Sequence, residues 1–61
     1  MTKYVVYAEN VDALDAALEK IEMTFPCWVR REFIEMNYSK IEIKAREEDI
    51  ASIERILAPY V

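Results

Sequence analysis

Sixty-one residues make one domain and no more, and a chain this short buries only about 60% of its unfolded surface, so completion by a partner or a second copy is an expectation from the start. The composition, 54% apolar and 33% charged, is that of a folded, well-solvated domain rather than a disordered chain. Histidine and glycine are absent and cysteine occurs once, which excludes triads built on Ser-His or Cys-His and glycine loops that cradle phosphate. Transition-metal sites are disfavoured on the same ground, and no cofactor is expected. The net charge of −4 argues against direct nucleic-acid binding, because phosphate contacts need positive charge.

The chain opens into Tyr4-Val5-Val6-Tyr7, a run of β-formers that predicts a strand over Lys3–Ala8. One lysine and no small-residue cleavage site precede it, so no secretory leader is expected. No apolar run approaches the roughly 20 residues of a membrane span. Asn10 is placed to cap a helix, with Asp12 in its first turn. Val11, Leu14, Leu18 and Ile21 recur at steps of three and four and make one apolar stripe, while Ala13, Ala16 and Ala17 add helix propensity. Pro26 stops this helix and holds Phe25 out of helical geometry.

A β-hairpin follows. Cys27, Val29 and Phe33 share one strand face, and Trp28, Arg30, Glu32 and Ile34 share the other. Asn37-Tyr38-Ser39 supplies the turn without glycine, Asn being the residue that best tolerates a left-handed conformation. Lys40–Ala45 alternates, with Ile41, Ile43 and Ala45 one way and Lys40, Glu42 and Lys44 the other. Glu47, Glu48 and Asp49 open a second helix, as its dipole prefers. Its stripe is Ile50, Ile53 and Leu57, flanked by Ile56 and Tyr60, and Pro59 ends it. The order β-α-β-β-α predicts an α+β domain: a three-stranded sheet with two helices on one face. The topology resembles a ferredoxin-like domain without its last strand, a likeness that carries no function. The lone Cys27 reads as a small buried hydrophobe rather than a nucleophile.

The one tryptophan poses the functional question. If Val29, Phe33, Ile41 and Ile43 face the helices, alternation sends Trp28 to the opposite face, and a one-residue slip would bury Arg30 and Glu32 instead. A bulge near Cys27 or Arg30-Arg31 would turn Trp28 inward, as a core or edge-packing residue. Facing out, Trp28 and its neighbour Arg30 are of the types most enriched at interface hot spots, with Lys40 and Lys44 nearby. The charges divide along the chain. Residues 9–24 carry five acids against Lys20 and residues 46–61 four acids against two arginines, whereas residues 27–45 hold four bases against three acids. Acidic helices are ordinarily a solvated surface; as a functional feature they would steer the chain to a basic partner.

The acidic small-domain size class, the β-α-β-β-α order and Trp28 followed nine positions later by Asn37 resemble the phage Dmd antitoxin family. That resemblance implies a non-catalytic protein acting in the host cell cytoplasm, which binds host endoribonuclease toxins of the RnlA/LsoA type in a deep groove and stops their degradation of mRNA. It carries the family's binding Trp and Asn onto Trp28 and Asn37. Trp28, Arg30, Asn37 and Tyr38 are thus the candidate partner-binding residues, with Asn37 equally explained as a turn residue. The expected partner is the toxin protein, with neither nucleic acid nor membrane bound, and a monomer is expected with a homodimer as the alternative. Two other readings stand beside this one: a self-associating regulatory or structural domain whose Trp28 face pairs with itself, and an acidic nucleic-acid mimic that inhibits another enzyme.

Overall fold

The computed structural model describes residues 1–61. Its elements are β1 (Thr2–Glu9), α1 (Asp12–Thr24), β2 (Cys27–Phe33), β3 (Tyr38–Ala45) and α2 (Glu47–Leu57), closed by a single 3-10 turn over Ala58–Tyr60. This is the expected α+β arrangement in the expected order. The strands lie in the order β1-β3-β2, both pairings antiparallel. β3 is therefore the central strand, and β1 and β2 are the two edges.

Both ladders run without interruption, from Thr2 opposite Ala45 to Glu9 opposite Tyr38 on one side, and from Cys27 opposite Ala45 to Phe33 opposite Ser39 on the other. With no extra residue in either strand there is no bulge, and period-two alternation fixes which side chains face the helices. β3 buries Ser39, Ile41, Ile43 and Ala45 on that side. α1 contributes Leu14, Ala17, Leu18 and Ile21, and α2 contributes Ile53 and Leu57. Val6 and Ala8 of β1 complete the buried cluster. α1 packs over β2 and α2 over β1, so the helices cover one face and leave the other bare.

Three expectations need correction. Asn10 does not cap α1: the N-cap is Val11, with no side-chain bond, and Val11 is exposed rather than part of the buried stripe. The hairpin turn does not fall on Asn37-Tyr38-Ser39. β3 already begins at Tyr38, Ser39 is fully buried, and the chain reverses over residues 34–37 with no residue at positive φ. The amides of Ile34 and Glu35 both donate to the Tyr38 carbonyl, at 3.1 and 3.2 Å, so the reversal closes on backbone bonds and needs no left-handed Asn. Phe33 does have the parity of Val29, but it is 68% exposed, since it stands at the strand end beyond the cover of α1.

The inward position that sequence alternation leaves unassigned, between Val29 and Phe33, belongs to Arg31. Its guanidinium pairs with Asp15 of α1 through Nη1, donates from Nε to Ser39 Oγ at 3.2 Å and from Nη2 to Asn10 Oδ1 at 3.0 Å, and lies over the Phe33 ring at 4.6 Å. The Ser39 hydroxyl donates to the same Asn10 oxygen. The Asn10 amide group donates to the carbonyls of Glu35 (3.3 Å) and Met36 (3.1 Å), and the Asn10 backbone N–H donates to Asn37 O at 2.9 Å. One short polar residue thus ties the β1–α1 junction to the hairpin tip. Every buried polar side-chain atom has a partner, as an interior without water requires.

Candidate functional site

The bare face of the sheet is built in rows across β1, β3 and β2. Lys3, Lys44 and Trp28 form the first row, Val5, Glu42 and Arg30 the second, and Tyr7, Lys40 and Glu32 the third; Glu9 beside Tyr38 starts a fourth. Residues at opposed antiparallel positions hold their Cβ atoms about 4.5–5.5 Å apart, so each row is a set of touching neighbours.

Trp28 points away from the helices, as alternation requires, and is 51% exposed. Lys44 lies over its ring, the ammonium 5.4 Å from the centroid. This contact covers part of the indole and leaves the rest open. Lys3 reaches diagonally to Glu42 at 3.5 Å. Arg30 faces Glu42 across the ladder and enters no ion pair within the chain. Tyr38 occupies the same face at its far end, 45% exposed.

Asn37 sits at the hairpin tip with its backbone carbonyl held by Asn10, while its side-chain amide has no partner within the chain. It lines a recess of about 280 Å³ with Glu9, Asn10, Val11 and Tyr38. The four candidates thus share one surface but not one spot. Trp28 stands opposite Lys44, and Asn37 precedes the first residue of the same β3 strand. At about 3.3 Å per residue the two lie roughly 20–25 Å apart. Trp28 and Arg30 form one end, Asn37 and Tyr38 the other, in a molecule 31 Å long. The larger concavity, between the helices, is lined by Ala13, Ala16, Ala17, Lys20, Ile56 and Tyr60. It lies on the covered side, away from all four.

Between the two ends stand Val5 and Tyr7, both exposed and both additional to the four candidates expected from the sequence. Their signal was present: they share parity with Lys3 and Glu9, the polar positions of β1. The face therefore combines three aromatic or aliphatic groups at its middle and Trp28 end with charges of both signs.

The ionisable groups follow their surroundings. Burial, with Glu22 and Asp49 adding to it, pushes the Cys27 thiol up. The thiol donates to the Ile21 carbonyl at 3.7 Å and is a protonated packing group at neutral pH. Burial and then Glu54 likewise raise the Tyr4 phenol. No helix is long and apolar enough to cross a membrane. No family model, curated protein or solved structure matches the chain, so the functional reading rests on the geometry of this face and on the Trp-Asn spacing.

Proposed function

We propose that the chain is a non-catalytic antitoxin that binds an mRNA-degrading endoribonuclease toxin of the RnlA/LsoA type and blocks it by seating the bare sheet face in the toxin's groove, in the cytoplasm of the host cell. The observation that carries this reading is the placement of Trp28. The chain leaves its only tryptophan half out of the core, on an uncovered face, beside an arginine that enters no ion pair. Trp and Arg at the centre of a desolvated contact are where binding energy concentrates.

In this reading Trp28 fills an apolar pocket of the toxin and Arg30 supplies a forked donor for a carboxylate or carbonyl beside it. Asn37 offers a donor and an acceptor at once from a tip that Asn10 already holds in place, so little ordering entropy is lost on binding. The acidic helices steer the encounter from the rim. The Trp-Asn spacing that resembles the phage Dmd family agrees with this division into two fixed points.

Cleavage of a labelled mRNA by the purified toxin tests the proposal. Stoichiometric addition of this chain should suppress cleavage, and the Trp28→Ala chain should suppress it only at a large excess. Undiminished cleavage in the presence of excess wild-type chain would overturn the reading.

A further inference from the structure

The two edges of the sheet are unlike. β2 is protected as edge strands usually are: Pro26 precedes it, and Arg30, Arg31 and Glu32 put three consecutive charges along it. β1 has none of these devices. It is eight residues long, contains no proline and no bulge, is hydrogen-bonded on one side only, and carries charge only at Lys3 and Glu9. Between them lie Tyr4, Val5, Val6, Tyr7 and Ala8, of which Val5 and Tyr7 are exposed on the bare face. A long, regular, apolar edge is a template for a further strand.

We propose that β1 pairs antiparallel with β1 of a second copy about a twofold axis at Val6, joining two three-stranded sheets into one of six strands. The sequence of β1 selects both the occupant and the register. Opposed residues in an antiparallel pair point to the same face, so a symmetric pairing must set odd-numbered residues opposite odd ones, and a one-residue shift would set helix-side residues against bare-face ones. Among the matched registers, the one centred on Val6 places Lys3 opposite the partner's Glu9 and Val5 opposite the partner's Tyr7. Twofold symmetry repeats each pair. On the helix side Tyr4 meets the partner's Ala8 and Val6 meets its own copy. A shift of one residue in the axis, to Val5 or to Tyr7, keeps the faces matched but leaves Lys3 and Glu9 unpaired with each other. One strand is therefore complementary to itself in charge, in apolar contact and in main-chain hydrogen bonding. The pairing uses the β1 edge and not the Trp28 end of the bare face, and it is tested on the isolated chain without any toxin.

Sedimentation equilibrium of the isolated chain, from roughly 10 μM to 1 mM, where weak dimers populate, tests the pairing. The mass should rise with concentration from 7.2 kDa toward twice that value. Glu9→Lys places two like-charge pairs across the axis and should raise the dissociation constant roughly tenfold or more. Adding Lys3→Glu to it exchanges the signs and should return the constant to near the wild-type value. Trp28→Ala should dimerise as the wild type does. Amide exchange at high and low concentration gives a second readout that needs no variant: protection gained on association should fall on alternate residues of β1. A monomer across the whole range, a dimer indifferent to Glu9→Lys, one abolished by Trp28→Ala, or protection gained along β2 would each overturn the inference.

Discussion

Replacing Asn10 by Ala removes the side chain that joins the hairpin tip to the β1–α1 junction, and the structure sets the size of the loss. Two donations, to the Glu35 and Met36 carbonyls, are solvent-exposed and are worth about 0.5 kcal/mol each. The larger effect falls on Ser39, which is fully buried and donates its hydroxyl to Asn10. Without that acceptor the hydroxyl retains only the Arg31 Nε bond, which it accepts, and a buried unsatisfied donor costs about 1–3 kcal/mol. The Arg31 Nη2 donation to Asn10 is also lost, but that guanidinium is partly exposed and water can take its place, so the total stays at about 2–4 kcal/mol. A domain of this size has roughly 3–9 kcal/mol in all, so the melting temperature should fall by roughly 15–30 °C. Circular-dichroism melts of Asn10→Ala, Ser39→Ala and the double variant separate the two parts. Removing both partners leaves no orphaned hydroxyl, so the double variant should be less destabilised than the sum of the singles by about 1–2 kcal/mol. Additive losses would refute the idea that Asn10 serves Ser39, and an Asn10→Ala chain as stable as the wild type would refute the clamp altogether.

Trp28→Ala removes an indole that is half buried, about 100 Å² of an aromatic side chain, and should lower stability by about 2 kcal/mol, below the 3–5 kcal/mol of a core aromatic; urea melts that show loss of cooperative folding would contradict its outward placement. Ile43→Ala empties a fully buried position on the central strand and should cost about 2–5 kcal/mol, a large part of the total stability, read as a fall in the urea midpoint. Stability should fall as pH rises past the ordinary thiol and phenol ranges. The folded-state pKa values of Cys27 and Tyr4 are raised, so the unfolded chain gives up those protons first, and the contribution present below the unfolded values is lost as pH climbs through the folded ones. Urea midpoints at neutral and alkaline pH should show the fall, and Cys27→Ser and Tyr4→Phe should each flatten it. Glu19→Gln with Glu22→Gln should slow association with the proposed toxin partner at low salt and leave it unchanged at high salt; stopped-flow rates equally affected at both would count against steering.

The elements were legible because each carries its own period. α1 and α2 repeat their apolar residues at three and four, β3 alternates strictly, and Pro26 and Pro59 mark the ends of the helical stripes, the second now seen inside a 3-10 turn. The outward direction of Trp28 was legible for the same reason, and the unbroken register removes the bulge that would have reversed it. The polar network was not legible. Asn10 has the sequence signature of a cap, but its partners lie 21 to 29 residues away, and nothing local distinguishes capping a helix from tethering a distant loop. Arg31 occupies an inward parity that a charge ordinarily avoids. It is tolerable there because Asp15, Ser39 and Asn10 take up its donors at the sheet's edge, and that arrangement exists only once α1 has packed over β2. Turn placement failed because backbone bonds to Tyr38, rather than a left-handed Asn, close the hairpin.

Calorimetric titration of the purified RnlA/LsoA-type toxin with the wild-type chain, Trp28→Ala, Asn37→Ala and the double variant tests the central claim most directly. Trp28→Ala should weaken binding by about 2–4 kcal/mol, the range of an interface hot spot. Asn37→Ala should weaken it by about 1–3 kcal/mol, because partner groups are left unpaired. The two residues sit at opposite ends of the hairpin, so the double variant should equal their sum within about 0.5 kcal/mol. Toxin binding by Trp28→Ala as tight as that of the wild type would contradict the account.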